Sequence, residues 1–276
     1  METIPKRALG RTGCQVSVLA LGGVKYNFLP DAEAAALVHR AIDLGINYID
    51  TAHGYKDSEQ KIGPVMAERR GEVYLATKSN ARDRAGMAAD IEESLRRLRT
   101  DHLDCVQIHD LGTEAELAAI LGPDGALKAI ESFRAAGTVR FVGVTGHRNP
   151  SVLAKAMNEY PFDTILCAMG AVHEAVRPFQ DTILPVARQR GVGVLGMKAL
   201  AYAFLADHAE AALRFVMGTE GITAAVVGMD TLEQLEFNVR VARQLTPLNG
   251  AERADLLAQA GDIYRRREAE AWFIKR

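Results

Sequence analysis

The sequence predicts an α/β fold, a (β/α)₈ TIM barrel with an N-terminal β-hairpin and a C-terminal helical extension. Short apolar runs alternate eight times with helical patterns, as in a sheet of parallel strands covered by helices. The 276 residues match one barrel of about 250 residues plus an extension, so we expect a single domain over residues 1–276. A doubly wound sheet alternates in the same way, but the sequence has no GxGxxG in a strand-to-helix turn.

The chain opens with a hairpin signal and the first strand–helix unit. Gly10-Arg11-Thr12-Gly13 is a turn sequence, so residues 7–16 should form a two-stranded hairpin. The apolar run at residues 18–21 is the first barrel strand. Asp31 is a good N-cap for the first helix, which should end at Gly45.

Helical spacing of apolar residues marks the second and third units. Residues 46–50 are the second strand, and the helix over residues 58–69 should break or kink at Gly63-Pro64, because proline lacks a backbone donor. Residues 73–78 are the third strand. The helix after it has an apolar face formed by Met87, Ile91, Leu95 and Leu98.

The middle of the chain continues the alternation. Residues 103–109 are the fourth strand, and a longer connection precedes a helix at about residues 125–136. The fifth strand covers residues 140–144, and Asn149-Pro150 opens the next helix in the usual N-cap and N1 order. The sixth strand lies near residues 164–167.

The last units lead into a charged tail. The remaining strands are expected at residues 192–197 and 224–227, and the helices at residues 178–189, made irregular by Pro185, and 209–217. Asp230, with Glu233 three residues later, has the capping-box pattern of a helix start. Residues 250–276 should form a helical extension in which Trp272 and Phe273 pack on the barrel.

Composition narrows the class of protein. With 48% hydrophobic and 25% charged residues, the chain can bury a large core. A formal net charge of −2 argues against nucleic-acid and membrane partners, and no run is long enough to cross a bilayer. Cys14, Cys105 and Cys167 form no CxxC pair, which favours a reducing compartment and argues against a disulfide framework or a zinc site. We therefore expect a cytoplasmic protein, and a monomer because such a barrel buries its own core.

Four titratable side chains follow consecutive predicted strands. Asp50 and Tyr55 follow the second strand, while Lys78 and His109 end the third and the fourth. Because the carboxyl ends of barrel strands meet at one mouth, these side chains should lie together. A phenol, with a pKa of about 10, exchanges protons poorly at neutral pH unless a nearby ammonium, held by a carboxylate, assists it. The set suits proton transfer to a carbonyl oxygen that is being reduced, and a nicotinamide is inferred as the hydride source.

The chain resembles the aldo-keto reductases over nearly its whole length. The residues that carry the resemblance are Gly45 to Ala52 with Tyr55 and Ser58-Glu59, Ala76 to Lys78, Asp104 to His109, Gly143 to Gly146, Gly228, Glu233 to Leu235, and Asn238-Val239. The resemblance implies an NAD(P)H-dependent enzyme that reduces a small-molecule aldehyde or ketone to an alcohol. It assigns Tyr55 as the general acid. Lys78 and Asp50 would lower the pKa of this phenol, and His109 would orient the carbonyl.

The resemblance also implies contacts to a dinucleotide that binds in an extended conformation without a Rossmann domain. These contacts are Gly22, Gly23, Asp50, Thr145, Gly146, Met197, Lys198, Leu200, Gly228, Met229, Gln234 and Asn238. Glycines would let a phosphate or ribose approach the backbone. NADP(H) is the expected cofactor and NAD(H) the alternative, because Gly228 and Gln234 stand where a lysine and an arginine often hold the 2′-phosphate. Asp230 adds a negative charge that favours a free ribose hydroxyl.

Other departures from the family lie beside the expected nicotinamide and substrate. Thr145-Gly146-His147 stands where Ser-Asn is common, and Leu166 and Met197 stand where a glutamine and a tyrosine are common. Candidates for substrate contact at the same mouth are His53, His147, His173 and Arg177.

Two other functions remain open from the sequence. Lys78 or Lys198, each at a strand end, could form a Schiff base as in an aldolase, in which case no nicotinamide would bind. A regulatory barrel could also bind the nucleotide for sensing without significant turnover. The complete set of four titratable residues argues against pure sensing.

Overall fold

A computed structural model describes residues 3–270 and confirms the (β/α)₈ barrel with its hairpin. The strands are β1 Lys6–Ala8, β2 Gln15–Ser17, β3 Leu19–Gly22, β4 Tyr48–Asp50, β5 Tyr74–Ser79, β6 Leu103–Ile108, β7 Val139–Gly146, β8 Thr164–Ala168, β9 Gly193–Met197 and β10 Ala224–Gly228. Strands β3 to β10 are parallel and follow one another in chain order, and β10 pairs with β3 to close the barrel.

Helices cover the outside of the barrel between successive strands. They are α1 Asp31–Asp43, α2 Ser58–Arg69, α3 Arg84–Arg97, α4 Glu114–Leu121, α5 Ala126–Ala135, α6 Pro150–Glu159, α7 Ala171–Val176, α8 Gln180–Arg190, α9 Ala209–Gly218, α10 Leu232–Arg243 and α11 Gly250–Arg266. Helix α11 is the predicted extension. The predicted packing of Trp272 and Phe273 lies outside the described residues.

Alternate residues of each strand face either the barrel interior or the helices. The interior cluster contains Ala20, Tyr48, Ala76, Cys105, Leu166, Leu195, Ala224 and Val226. The intervening residues pack in a second, larger core that also contains the buried faces of the helices. A residue two positions beyond an interior residue also faces inward, so the alternation determines which side chains point into the mouth.

The hairpin of β1 and β2 closes the N-terminal end of the barrel. Leu9, Cys14 and Val16 belong to the interior cluster. Gly10 has a φ of +53°, and a Cβ on it would lie 2.2 Å from the backbone nitrogen of Gly193, where β9 begins. Glycine is therefore required at residue 10. Because the hairpin closes the N-terminal end of the barrel, the open mouth is at the carboxyl ends of the strands.

Two short helices were missed by the sequence analysis. Helix α4 lies in the longer connection that precedes the predicted helix at about residues 125–136, and α7 precedes the predicted sixth barrel helix. A capping box starts α4: the Thr113 hydroxyl accepts from the backbone of Glu116 at 3.2 Å, and the Glu116 carboxylate accepts from the backbone of Thr113 at 3.0 Å. Helices of this length show too few apolar repeats for a period to be recognised.

Neither proline inside a helix ends it. Helix α2 continues through Pro64, so the helix is not broken there, and α8 continues through Pro185. A proline removes one hydrogen bond and strains one turn. Packing of the buried face of α2, which includes Ile62, Val65 and Met66, outweighs this loss.

The start of α10 was predicted one residue too early. Thr231 is the N-cap, and its hydroxyl accepts from the backbone of Gln234 at 3.1 Å. Asp230 lies outside the helix and donates its own backbone N–H to the Gln234 side chain at 3.1 Å. Aspartate and threonine are both good N-caps, and both possible starts place a Glu or Gln three residues later, so the sequence could not decide between them.

Three further observations apply to residues 3–270. No helix among them has the length and apolar character needed to cross a membrane. No group of three or more His, Cys, Asp or Glu side chains in this part is arranged to hold a metal ion. Cys14, Cys105 and Cys167 are buried free thiols.

Candidate active site

Three neighbouring strands bring the titratable residues together at the mouth. Strand β4 ends at Asp50, which pairs with Ala76 of β5, and Lys78 of β5 pairs with Gln107 of β6. His109 follows the last residue of β6. Asp50, Lys78, Gln107 and His109 each lie two residues beyond an inward-facing residue, so their side chains point to the same interior.

The Lys78 ammonium is the centre of the site. Its Nζ lies 2.6 Å from Asp50 Oδ2 and 2.6 Å from the carbonyl oxygen of Thr51. It also lies 3.5 Å from the Tyr55 hydroxyl. Lys78 and Asp50 are both buried. The order Asp50, Lys78, Tyr55 is therefore present as a continuous chain of contacts.

Tyr55 lies in the turn between β4 and α2. Its backbone N–H donates to Ala52 at 3.0 Å, and its carbonyl accepts from Ser58 at 2.9 Å. Lys78 Nζ lies 4.7 Å from the centre of the phenol ring, and the ring of His109 meets it edge-on with centroids 5.6 Å apart. The phenol is thus fixed between the ammonium and the imidazole.

Burial and charge act in opposite directions on these groups. Burial raises the pKa of Asp50, while the Lys78 charge and the hydrogen bonds from Lys78 and Gln107 lower it, and the pKa stays raised overall. Burial also raises the pKa of Tyr55 above 10, although Lys78 opposes this. For Lys78, burial lowers the pKa, but the charges of Asp50 and Tyr55 outweigh it, and the pKa is raised. Tyr55 is therefore a protonated acid at neutral pH, and Lys78 is a cation.

His109 is a neutral imidazole at neutral pH. Burial and the charges of Lys78 and Arg82 lower its pKa to about 3. Its Nδ1 is buried and has no hydrogen-bond partner among the described residues. A neutral ring donates from one nitrogen only, which suits a group that offers a hydrogen bond to a carbonyl oxygen without protonating it.

Gln107 is a member of the site that the sequence analysis missed. Its Nε2 donates to Asp50 Oδ1 at 2.8 Å. The residue is fully buried. The available signal was its position two residues before His109, which places both side chains on the inner face of β6.

Three of the four glycines predicted to contact a cofactor, Gly22, Gly23 and Gly228, line the seam between the first and last barrel strands. Gly22 pairs with Gly228 on one side and with Asp50 on the other. A Cβ on Gly22 would lie 3.1 Å from the backbone nitrogen of Gly228, and a Cβ on Gly23 would lie 2.8 Å from Ser58 Oγ. Packing between protein segments therefore already favours glycine at both positions, with or without a ligand.

Thr145 and Gly146 end β7 beside the loop that follows His109. The Thr145 hydroxyl accepts from the backbone N–H of Asp110 at 2.9 Å. A Cβ on Gly146 would lie 2.7 Å from the carbonyl oxygen of Leu111. These contacts hold the two loops together, and the Thr145 hydroxyl keeps its own proton for another acceptor.

Lys198 follows Met197 at the end of β9 and has a φ of +62°. Burial lowers the pKa of its ammonium to about 8, and the Asp110 charge opposes this effect. Leu200, two residues on, is partly buried against the core. The lysine is therefore a partly buried cation near the mouth whose charge an anionic ligand would stabilise.

The seam near α10 contains a lysine that the sequence analysis also missed. Lys25 Nζ lies 3.3 Å from Asp230 Oδ2, and Lys25 Cγ lies 3.0 Å from the position that a Cβ on Gly228 would take. Other predicted residues here differ in burial: Met229 and Asn238 are buried and Gln234 is exposed. The negative charge expected from Asp230 is thus offset by a neighbouring cation.

The additional histidines are in different surroundings. His53 Nε2 lies 3.4 Å from Asp90 of α3. Burial lowers the pKa of His147, and the charge of Lys198 lowers it further. His147 therefore lies within electrostatic range of Lys198, close to the mouth. His173 is buried, and Arg177 donates to the carbonyl of Arg148 at 2.9 Å.

The chain is similar in sequence and in fold to known proteins. A family model described as the aldo/keto reductase family matches residues 18–210. L-galactose dehydrogenase of Arabidopsis thaliana is 26% identical over 297 aligned positions, which cover 90% of this chain and 91% of that protein.

Solved structures of aldo-keto reductases are also similar to this chain. A protein from Pseudomonas aeruginosa described as an aldo-keto reductase is 30% identical, with a TM-score of 0.77 over 89% of this chain and 98% of that chain. An aldo/keto reductase from Klebsiella pneumoniae, solved with NADP and acetate, has a TM-score of 0.77 over 94% of this chain and 96% of that chain. Its identity is 22%, so this likeness concerns the fold alone.

Proposed function

The chain belongs to the aldo/keto reductase family, and we propose that it reduces a small-molecule aldehyde or ketone to an alcohol with NADP(H) as the hydride donor and Tyr55 as the general acid. The contact chain from Asp50 through Lys78 to Tyr55 carries this proposal. It places a protonated phenol beside a cation that stabilises the phenolate formed when the proton leaves.

The nicotinamide, when bound, supplies the hydride to the carbonyl carbon. Tyr55 gives its proton to the carbonyl oxygen as negative charge develops there. Lys78, held by Asp50, stabilises the resulting phenolate, so the phenol gives up its proton more easily than it would without the cation. His109 is neutral and donates a hydrogen bond that orients the same oxygen.

The residues at the mouth fit a dinucleotide. Lys198 is a partly buried cation whose lowered pKa rises when an anion binds, so it suits the pyrophosphate. Lys25 beside Gly228 supplies a second cation at the seam with β10. The Klebsiella pneumoniae relative was solved with NADP. We therefore place the cofactor along the ends of β3, β9 and β10, with NAD(H) as the alternative.

Replacement of Tyr55 by phenylalanine tests the proposal. We expect the wild-type protein to bind NADPH and to reduce members of a carbonyl panel. Tyr55→Phe should keep NADPH binding, measured by fluorescence titration, while kcat falls by about 10²–10⁴-fold because the general acid is lost. Tyr74→Phe removes a phenol hydroxyl at the other end of β5 and serves as the matched control, with unchanged kcat.

Other outcomes would support the other two functions. A Schiff base at Lys78 is disfavoured, because Asp50 raises the pKa of this lysine and keeps it protonated. Lys198 has a lowered pKa and stays a candidate nucleophile. Borohydride trapping of a carbonyl ligand on Lys198, without dinucleotide binding, would replace the reductase proposal. Tight NADPH binding without turnover of any carbonyl would favour a sensor.

Location and assembly stay predictions. The three buried free thiols support a reducing compartment, and we propose a cytoplasmic enzyme. We also propose that the chain is one domain and acts as a monomer. Light scattering and a single unfolding transition would test these two statements.

A further inference from the structure

Gln107 contacts the oxygen of Asp50 that Lys78 leaves unoccupied. Lys78 takes Oδ2 at 2.6 Å, and Gln107 Nε2 takes Oδ1 at 2.8 Å. Lys78 and Gln107 are register partners on β5 and β6, so adjacent strands present the two donors side by side. The Asp50 carboxylate therefore has a donor on each oxygen.

The surroundings of Gln107 accommodate its side chain but leave one of its polar atoms without a partner. Its Oε1 is buried and has no hydrogen-bond partner among the described residues. Its register partner on β7 is Gly143, where a Cβ would lie 2.7 Å from Gln107 Cγ. An apolar side chain of similar size would avoid the cost of the unpartnered oxygen. The advantage of glutamine over such a side chain at residue 107 is therefore its hydrogen bond to Asp50.

We propose that Gln107 is a positioning residue of the active site, whose amide holds the Asp50 carboxylate ionised against Lys78 and so sets the low-pH limit of reductase activity. The inference rests on the proposed function, because it concerns the same proton-transfer chain.

Most of the titratable groups around Asp50 do not stabilise its ionised form. The charge of Asp50 acts on Lys78, Tyr55, Tyr48 and Cys105. Tyr55, Tyr48 and Cys105 have raised pKa values and are neutral. Of these four groups, Lys78 on β5 is the one that carries a positive charge. Without the amide, burial would favour the protonated acid more strongly. A neutral Asp50 would no longer hold Lys78 beside the phenol.

Gln107→Met tests this inference, because it keeps the side-chain length and removes the donor. The measurement is kcat against pH at saturating NADPH and aldehyde. We expect the low-pH limb to move up by about one pH unit, so that kcat falls about tenfold at a pH on that limb and much less at higher pH, as expected for the loss of one hydrogen bond to a charged group. The KM for the aldehyde and the Kd for NADPH should stay within about twofold, since Gln107 acts through Asp50.

Gln107→Glu provides the conservative rescue. Two buried carboxylates in contact share one proton, so the pair should retain a donor to Asp50 near neutral pH. We expect kcat close to wild type at low and neutral pH and a loss as pH rises through the upper pKa of the pair. Cys105→Ala, two residues earlier on the same inner face, is the control, and its pH profile should match that of wild type.

Two results would overturn the inference. One is a Gln107→Met enzyme whose kcat falls by the same factor at every pH, which is the signature of a structural role. The other is an unchanged kcat. Failure of the proposed function is separate, because it would appear in the wild-type protein as absence of carbonyl reduction before any variant is compared.

Discussion

At the scale of single residues, Lys198 has the properties of a side chain that binds an anion. It is partly buried, its backbone is in the left-handed region with a φ of +62°, and burial lowers its pKa to about 8. A left-handed φ in a lysine is unfavourable, and such positions cluster at functional sites. The nearby Asp110 charge opposes the effect of burial only in part. A bound pyrophosphate would favour the charged form.

We predict that the affinity for NADPH falls as pH rises above about 8. The pyrophosphate binds the charged lysine better, so the pKa of Lys198 is higher in the complex than in the free protein. Affinity is therefore constant well below the free-protein pKa and declines between the two values. Lys198→Met should weaken binding at pH 7 by about tenfold and make it independent of pH from about 7 to 9.5. Fluorescence titration across this range measures both effects.

Lys128→Met is the control for this experiment, because Lys128 is on α5 and pairs with Glu131 at 3.1 Å. It should retain the affinity of wild type and its decline with pH. A Lys198→Met protein that shows the same decline would remove the lysine from the proposed cofactor site.

At the proton-transfer site, the sequence identified the four titratable residues and missed a residue that acts through geometry. Asp50, Tyr55, Lys78 and His109 were recognised because titratable groups at strand ends are unusual and match a family motif. Gln107 was missed because an amide has no charge, and its contact with Asp50 appears only when β4 and β6 are placed on either side of β5. The glycines were recognised, but the protein contacts that favour them depend on neighbouring strands.

At the scale of elements, the hairpin depends on how closely its turn approaches β9. Gly10 and Gly13 both have positive φ, +53° and +75°. A Cβ on Gly10 would lie 2.2 Å from the backbone of Gly193, whereas a Cβ on Gly13 would meet nothing within 4 Å. A substitution at Gly13 would therefore cause backbone strain alone, whereas a substitution at Gly10 would cause both backbone strain and a steric clash.

We predict that Gly10→Ala lowers the free energy of unfolding by about 2–4 kcal/mol, because the hairpin must move away from the barrel. Gly13→Ala should cost only about 1 kcal/mol, the cost of a left-handed alanine. Urea unfolding followed by circular dichroism measures both. Equal losses in the two variants would show that the backbone conformation, and not the approach to Gly193, requires glycine at residue 10.

The strands and long helices were predicted because their periodicity is strong, and the short elements were not. Helices α4 and α7 have eight and six residues, so their apolar repeats are too few to detect. The possible break at Pro64 of α2 did not occur, because the tertiary packing that holds the helix together is invisible in a single segment. The N-cap of α10 was misplaced by one residue because both candidates satisfy the same rule.

At the scale of the whole molecule, barrel closure brings together residues from opposite ends of the chain. Strand β10 pairs with β3, which places Gly228 beside Gly22 and Lys25 beside Asp230. No local pattern could have shown that Asp230 has a cation within 3.3 Å. The pair is partly exposed, so it contributes at most about 1 kcal/mol, and Lys25 can leave Asp230 at little cost.

We predict that this pair determines which dinucleotide the enzyme prefers. A 2′-phosphate at the seam would attract Lys25 and repel Asp230, whereas a free ribose hydroxyl would be little affected by either charge. Asp230→Asn should therefore tighten NADPH binding by about three- to tenfold and leave NADH nearly unchanged. Lys25→Met should weaken NADPH by about tenfold with little effect on NADH. Fluorescence titration with both dinucleotides at low and high salt measures the changes, and the NADPH differences should shrink at high salt. Equal shifts for the two dinucleotides would instead assign the pair to the stability of the loops that join β3 and β10 to their helices.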